Sequence, residues 1–322
     1  MKAYRFHNVE AGLQLEDIDV PEVSSSEVLI AVKAAGLCHS DCHTLKGSNW
    51  GGKFPITLGH EVAGTVVTLG KNVSNVKVGD RVAVALPGQP IEEMEFSSVI
   101  GVGFDGGYAE YAAVPAKFLV PIPDNVTFEQ AAVATDSIST AYHAILAEGK
   151  ITTSTTVAVV GLGGVGMNGL HFAILQGARV YGFDIDPAKR DAAKRLGAIE
   201  CFDSLDCIKD VSIDVIVDFV GLTATLSKAV TAVKLGGRIV AVGLGDPEIT
   251  LPTFSLVSRA IELKGSIGAS LEDFHAVLQL ISSGDIRPVL ECIPFSDVVD
   301  GLHRLERGGV PGRLYTIPVA IA

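Results

Sequence analysis

The amino-acid sequence predicts an α/β protein with a β-rich part, in which a parallel-sheet domain interrupts a module of short strands. Three observations carry this. An apolar, β-branched run over Thr156–Val160 enters a turn containing Gly161, Gly163, Gly164 and Gly166. Before it, short apolar runs are separated by Gly, Pro, Asn and Asp, as in a barrel-like all-β region. After it, strand-like runs alternate with helix-period segments, a pattern that calls for a parallel sheet.

Taken in order, strand-like runs fall at 28–35, 61–69, 80–85 and 107–120. The run at Thr156–Val160 is unbroken because a parallel strand is covered on both faces. Gly161 permits the tight turn, Gly163 lets backbone approach a pyrophosphate, and Gly166 allows close packing of the following helix, whose amino end favours an anion. That helix shows in Met167, Leu170, Phe172, Ala173 and Leu175 and ends at Gly177. The next strand, Arg179–Phe183, delivers Asp184 about twenty residues beyond the glycines, where a dinucleotide site places its ribose-binding acid. Further strands are expected at 215–218, 239–242 and 262–266, amphipathic helices at Leu271–Ser283 and 296–307, and a closing strand at 312–318.

Asp184 selects cofactor by charge, since a carboxylate repels the extra phosphate of NADP and accepts hydrogen bonds from the ribose of NAD. Ile185 and Asp186 follow and the next arginine is Arg190, so NAD(H) is expected. With 322 residues and a formal charge of −12, the chain is long enough for two domains and too acidic for a general nucleic-acid binder. The amino terminus lacks a signal-peptide core, and no apolar run is long enough to cross a bilayer. Five cysteines without paired spacing suit a reducing compartment. A soluble, cytoplasmic protein with no nucleic-acid or membrane partner is expected, with Cys201, Cys207 and Cys292 as small packing residues.

Chemistry concentrates near Cys38, which is followed by His39, Ser40, Asp41 and His43, and then by His60 and Glu61 after Gly59. A thiolate and an imidazole in one stretch read as half of an open zinc site, whose catalytic form uses three protein ligands and leaves a position for substrate. The alternative is a small buried cysteine beside a loop histidine. Ser40 and His43 carry protons, and Asp41 or Glu61 is placed to hold the ligand histidine through its second ring nitrogen. Trp50, Phe54, Met94 and Phe96 either line a substrate cleft or pack in the core.

Through Gly36 to His43, Gly59 to Glu61, Gly161 to Gly166 and Asp184, the chain resembles a zinc-dependent alcohol dehydrogenase of the medium-chain dehydrogenase/reductase superfamily over nearly its whole length. The resemblance implies a GroES-like catalytic domain formed by residues 1–137 and 268–322, a Rossmann NAD-binding domain at 138–267, and an active site in the cleft. It implies that Cys38 and His60 are zinc ligands, that Ser40 takes the substrate hydroxyl proton, and that His43 passes it on through the cofactor ribose. It also implies contacts to the cofactor from His39, Thr140, Val165, Lys189 and Arg313, and a homodimer or homotetramer.

Two departures from the family pattern stand out. The loop at 86–106 has no cysteine where many members carry four for a structural zinc, so a single catalytic ion is expected. Asp136 stands where the third catalytic ligand is often cysteine. It either ligates the metal, as carboxylates do in zinc sites, or caps a helix starting near Ile138; Glu61 is a rival ligand. The function implied is reversible hydride transfer between an alcohol and NAD, yielding an aldehyde or ketone. A zinc-free quinone or enoyl reductase on the same fold, or a dinucleotide-binding redox sensor without turnover, are the alternatives.

Overall fold

The computed structural model describes residues 1–48, 52–86, 88–208 and 210–318. Trp50 lies outside the described residues. The chain divides into two compact units, one built from Met1–Ser139 with Gly268–Ala322 and the other from Thr140–Ile267.

The first unit centres on a seven-stranded sheet. Its path runs Leu290–Ile293, Arg313–Thr316, Glu27–Gly36, Glu61–Leu69, Arg81–Val84 and Leu119–Pro121, with Tyr111–Pro115 also pairing with Glu27–Gly36. Glu27–Gly36 is the hub, and its apolar residues other than Ala31 are buried because it has partners along its length and other elements over it. The chain's last strand, Arg313–Thr316, pairs antiparallel with its end, setting Tyr315 opposite Gly36. That pairing stitches the two ends of the chain into one body. A smaller sheet joins Leu13–Asp17, Lys2–Phe6 and Ile56–Thr57. Phe6, Ile30, Leu37, Leu58, Ile100, Tyr108, Leu302 and Leu314 fill the core.

Two helices of this unit show their local causes. Leu271–Ser283 starts where the Ser270 side chain accepts from the Asp273 backbone at 3.0 Å, and ends at Gly284 with φ +84. Val298–Arg307 begins after a 3₁₀ turn at Phe295–Asp297 and buries Val298, Leu302 and Leu305. A further helix begins at Phe128, and an α-helical segment does start near Ile138, at Ser139–His143, but it continues from helical backbone before it. Thr127 caps the helix at Phe128 reciprocally with Gln130, and that helix passes into a π-helical turn at Ala134–Ile138. Asp136 therefore sits inside helical backbone, and the expectation that it caps a helix is corrected.

The second unit is a six-stranded sheet, parallel throughout. Its order is Glu200–Phe202, Arg179–Phe183, Thr156–Val160, Ile213–Asp218, Val233–Ala241 and Glu262–Gly265. Numbered along the chain this is 3-2-1-4-5-6, the doubly wound dinucleotide-binding order, and the direction of winding reverses between Thr156–Val160 and Ile213–Asp218. All five residues of Thr156–Val160 are buried. Two cysteines expected to pack inside do not: Cys207 and Cys292 are exposed, because the short elements carrying them lie at the surface, whereas Cys201 is buried.

Candidate metal centre and dinucleotide turn

Cys38 follows the last residues of Glu27–Gly36 and takes an extended conformation as the N-cap of the short helix His39–Leu45. The Asp41 carboxylate reaches back to the Cys38 amide, which donates to Oδ2 at 3.2 Å. This closes a capping box that fixes the thiol's backbone. His60 comes just before the strand Glu61–Leu69, after Gly59 at φ +92. Asp136 arrives from the π-helical turn, a feature frequent at functional sites.

These three side chains converge. Each offers a ligand atom, and those atoms lie within 4.8 Å of one another. The Cys38 thiol donates to Asp136 Oδ2 at 3.3 Å, and His60 Nε2 lies 3.3 Å from the same oxygen. Ser40 Oγ is 3.3 Å from His60 Nε2, and His43 is one helical turn further along the same helix. On the far side of the ring, Asp41 Oδ1 stands 3.4 Å from Nδ1, an ion-pair distance that is long for a hydrogen bond. The Tyr108 hydroxyl donates to Asp41 Oδ2 at 2.7 Å.

Charge in this cluster is tightly balanced. Burial works to depress the His60 imidazolium, but the Asp41 charge, the hydrogen bond to Asp136 and the neighbouring Asp41 and Cys38 side chains prevail and hold its pKa well above the usual histidine range. Soft sulfur, imidazole nitrogen and carboxylate oxygen form a donor set that zinc accepts, with three protein ligands leaving the fourth position open. The residues therefore fit a catalytic zinc ion, and the thiol and imidazole protons would leave as it binds. Among the described residues, this is the one group of three or more such side chains placed to hold a metal.

Glu61 is not in that group. It is fully buried, and its Oε1 pairs with the Arg313 guanidinium and accepts from the Ser137 amide at 3.2 Å. Burial pushes its pKa up to about 7, with Asp136 adding to the rise and Arg313 opposing it. Glu61 Oε2 and Arg313 Nε are buried without hydrogen-bond partners. Arg313, expected at a cofactor phosphate, is 5% exposed, and Nη2 is 3.8 Å from Asp136 Oδ2. His39 is an exposed residue with Nε2 3.0 Å from the Leu305 carbonyl oxygen. Phe54 is half exposed, packs edge-on against Phe6 at 5.1 Å, and lines a small pocket with Thr44, Ile56 and Leu58. Met94 is half-buried and Phe96 is exposed.

In the second unit the glycine turn has the required shape. Gly161 has φ +83, and a Cβ on Gly166 would lie 1.7 Å from the Gly161 carbonyl oxygen, so only glycine permits the helix to pack there. Nothing lies within 4 Å of a Cβ built on Gly163, which leaves its backbone open to an approaching ligand. Gly164 precedes Val165, the N-cap of Gly166–Leu175. Asp184 is bound to the turn itself: Oδ2 accepts from the Leu162 amide at 2.8 Å and Oδ1 from Asp186 at 2.9 Å. Lys189 Nζ is 3.9 Å from Asp184 Oδ2, and Thr140 is half-buried at the start of the unit.

Family models match both parts of the chain: an alcohol dehydrogenase GroES-like domain at residues 24–124, and a zinc-binding dehydrogenase at 164–283. An alcohol dehydrogenase of Geobacillus stearothermophilus is 32% identical, with 98% of each chain aligned. The chain belongs to the zinc-type alcohol dehydrogenase family. In solved structures, this family member is similar to acetophenone reductase from Geotrichum candidum in complex with NAD, at a TM-score of 0.92 and 32% identity, covering 100% of this chain and 98% of that one. It is also similar to the alcohol dehydrogenase of the archaeon Aeropyrum pernix, at a TM-score of 0.89 and 27% identity, covering 99% and 100%.

Two side chains of this zinc-type dehydrogenase were missed by the sequence reading. Tyr108 touches the metal centre through Asp41, and its only signal was an aromatic residue beside Gly107 in a β-rich stretch. Asp218 is fully buried at the end of Ile213–Asp218, where Oδ1 accepts from Val220 at 2.8 Å and Gly221 at 2.7 Å while Oδ2 has no partner. An acid closing the apolar run Val215–Val217, three residues before Gly221, was the available sign.

Proposed function

We infer that the protein is an NAD-dependent zinc alcohol dehydrogenase that reversibly converts an alcohol to an aldehyde or ketone. The observation that carries this is the convergence of Cys38, His60 and Asp136 in a chain that also bears the glycine turn and Asp184. Cys38, His60 and Asp136 would hold one catalytic zinc ion, with no structural zinc. When bound, zinc supplies Lewis acidity at the substrate oxygen and NAD supplies the hydride acceptor. Ser40 takes the substrate hydroxyl proton and His43 passes it outward, because a hydroxyl and an imidazole can each both accept and donate. Asp41 orients His60. Glu61, held by Arg313, stays beside the triad as a reserve carboxylate.

The glycine turn receives the pyrophosphate at the start of Gly166–Leu175, and Asp184 binds the ribose and disfavours NADP. His39, Thr140, Val165 and Lys189 complete the cofactor contacts; Arg313 would join them only by leaving Glu61. Assembly into a homodimer or homotetramer fits the exposure of the edge strand Glu262–Gly265 and of Phe254 and Val257 beside it. No helix among the described residues is long and apolar enough to cross a membrane. Five free cysteines fit a cytoplasmic location.

The test pairs elemental analysis of purified protein with NAD and NADP turnover over a panel of primary and secondary alcohols. Stoichiometric zinc and NAD-linked oxidation are expected, and C38S should remove both. Full turnover by metal-free C38S would overturn the reading.

A further inference from the structure

We propose that Tyr108 is a positioning residue of the metal centre, whose hydroxyl locks the Asp41 carboxylate so that one of its oxygens serves Cys38 and the other His60. This rests on the metal-site reading above and deepens it. Asp41 is 2% exposed and serves two ligand residues at once: Oδ2 accepts from the Cys38 amide at 3.2 Å, and Oδ1 faces His60 Nδ1 at 3.4 Å. A carboxylate held only by those two longer contacts can turn about its terminal bond, a broad and soft torsion. The Tyr108 hydroxyl, 2.7 Å from Oδ2, is the shortest of the three and stops that rotation.

The phenol itself is given one place to stand. Tyr108 is fully buried, its amide donates to the Leu58 carbonyl at 3.0 Å, and its own carbonyl accepts from Tyr4 at 2.8 Å. Its ring lies over Gly59, where a Cβ would come within 2.6 Å of it. The hydroxyl has a single proton. The Gly36 carbonyl is a second acceptor at 3.2 Å, but the charged and closer carboxylate takes the proton. Tyr108 thus extends the pairing of carboxylate with ligand histidine by one link, and it reaches the ligand cysteine through the same carboxylate.

The experiment compares full-length wild type, Y108F and Y4F. Tyr4 is a second buried phenol of the same unit, but its hydroxyl donates to the Ser296 carbonyl at 2.8 Å, away from the ligands. Zinc affinity by chelator competition, the absorption spectrum of the cobalt-substituted protein, and the melting temperature of the metal-free protein are measured. Loss of an outer partner of a ligand histidine costs about 10–100-fold in metal affinity. For Y108F, one link further out, about a tenfold weakening is expected, with an altered cobalt spectrum and a metal-free melting temperature close to that of Y4F. Unchanged zinc affinity and spectrum in Y108F would overturn the proposal. So would an equal loss in Y4F, or a metal-free Y108F that does not fold, because the hydroxyl would then act on the fold and not on the ligands. Wild-type protein that takes up no stoichiometric zinc would instead overturn the metal reading beneath it.

Discussion

A methyl group on Gly36 would fall 1.9 Å from Glu61 Oε2 and 2.9 Å from its Cβ, and the glutamate cannot withdraw because Arg313 and the Ser137 amide hold its other oxygen. G36A should therefore cost about 1–3 kcal/mol, the usual range for overpacking a filled site. The expected outcome is a lower urea midpoint at unchanged slope; an unchanged midpoint would mean that Glu61 swings aside freely. Asp136 offers a sharper chemical test. D136A removes one of three donors and should weaken zinc by at least about tenfold, while D136C supplies a thiolate that zinc also accepts and should retain the ion. Equal zinc retention by D136A and wild type would refute ligation. At this scale, Cys38 and His60 were legible because sulfur and imidazole are uncommon enough that nearness in sequence carries information. Asp136 needed a family pattern to be noticed, since carboxylates are common and its partners lie far away along the chain. Tyr108 was hidden because its contact with Asp41 depends on the bare backbone of Gly59, a three-dimensional circumstance.

At the scale of elements, capping and covering decided what could be read. Thr156–Val160 is buried throughout and showed as an unbroken apolar run, and Leu271–Ser283 is bracketed by Ser270 and Gly284. Lys2–Phe6 was missed because Lys2 and Arg5 alternate with buried Ala3, Tyr4 and Phe6, which disguises a short strand as a charged terminus. The π-helical turn holding Asp136 leaves no compositional mark. Another element-level device joins Ile213–Asp218 to the turn after it. Burial raises the Asp218 carboxyl pKa above its ordinary 3.8, against the nearby Thr225 hydroxyl and the hydrogen bonds from the Gly221 and Val220 amides, which favour the charged form. The folded protein then holds this proton to higher pH than the unfolded chain. The contribution is complete below the ordinary aspartate range and is lost as pH rises through the elevated value. D218N, neutral at every pH and still able to accept through Oδ1, should flatten the fall of unfolding free energy over that window. Urea titrations at a series of pH values make the comparison, and parallel curves for D218N and wild type would reject a raised Asp218.

At the scale of the whole molecule, the order of the elements was readable because a glycine turn announced where the nucleotide unit begins. That this unit interrupts the β-rich module was readable from the closing strand expected at 312–318, but not which strand that one would pair with. In the structure the joining of the two chain ends depends on Arg313–Thr316 pairing with Glu27–Gly36, a long-range choice of partner that local patterns do not encode. The same sheet logic bears on assembly. All four residues of Glu262–Gly265 are exposed at the sheet's edge, and unpaired edge groups invite a further strand. Near it, Phe254 is 85% and Val257 72% exposed on the helix Thr253–Ser258, and Leu263 adds apolar surface on the strand. A chain with net charge −12 gains little from bringing two copies together unless such apolar area is covered. F254E and V257E combined would place two more negative charges on this face of each copy, so light scattering should report a mass closer to the monomer's than that of the homodimer or homotetramer proposed for the wild type. Because the change falls in the unit that does not carry the ligand triad, zinc content should stay at the wild-type level. A double variant that keeps the wild-type mass would reject this face as an interface between copies.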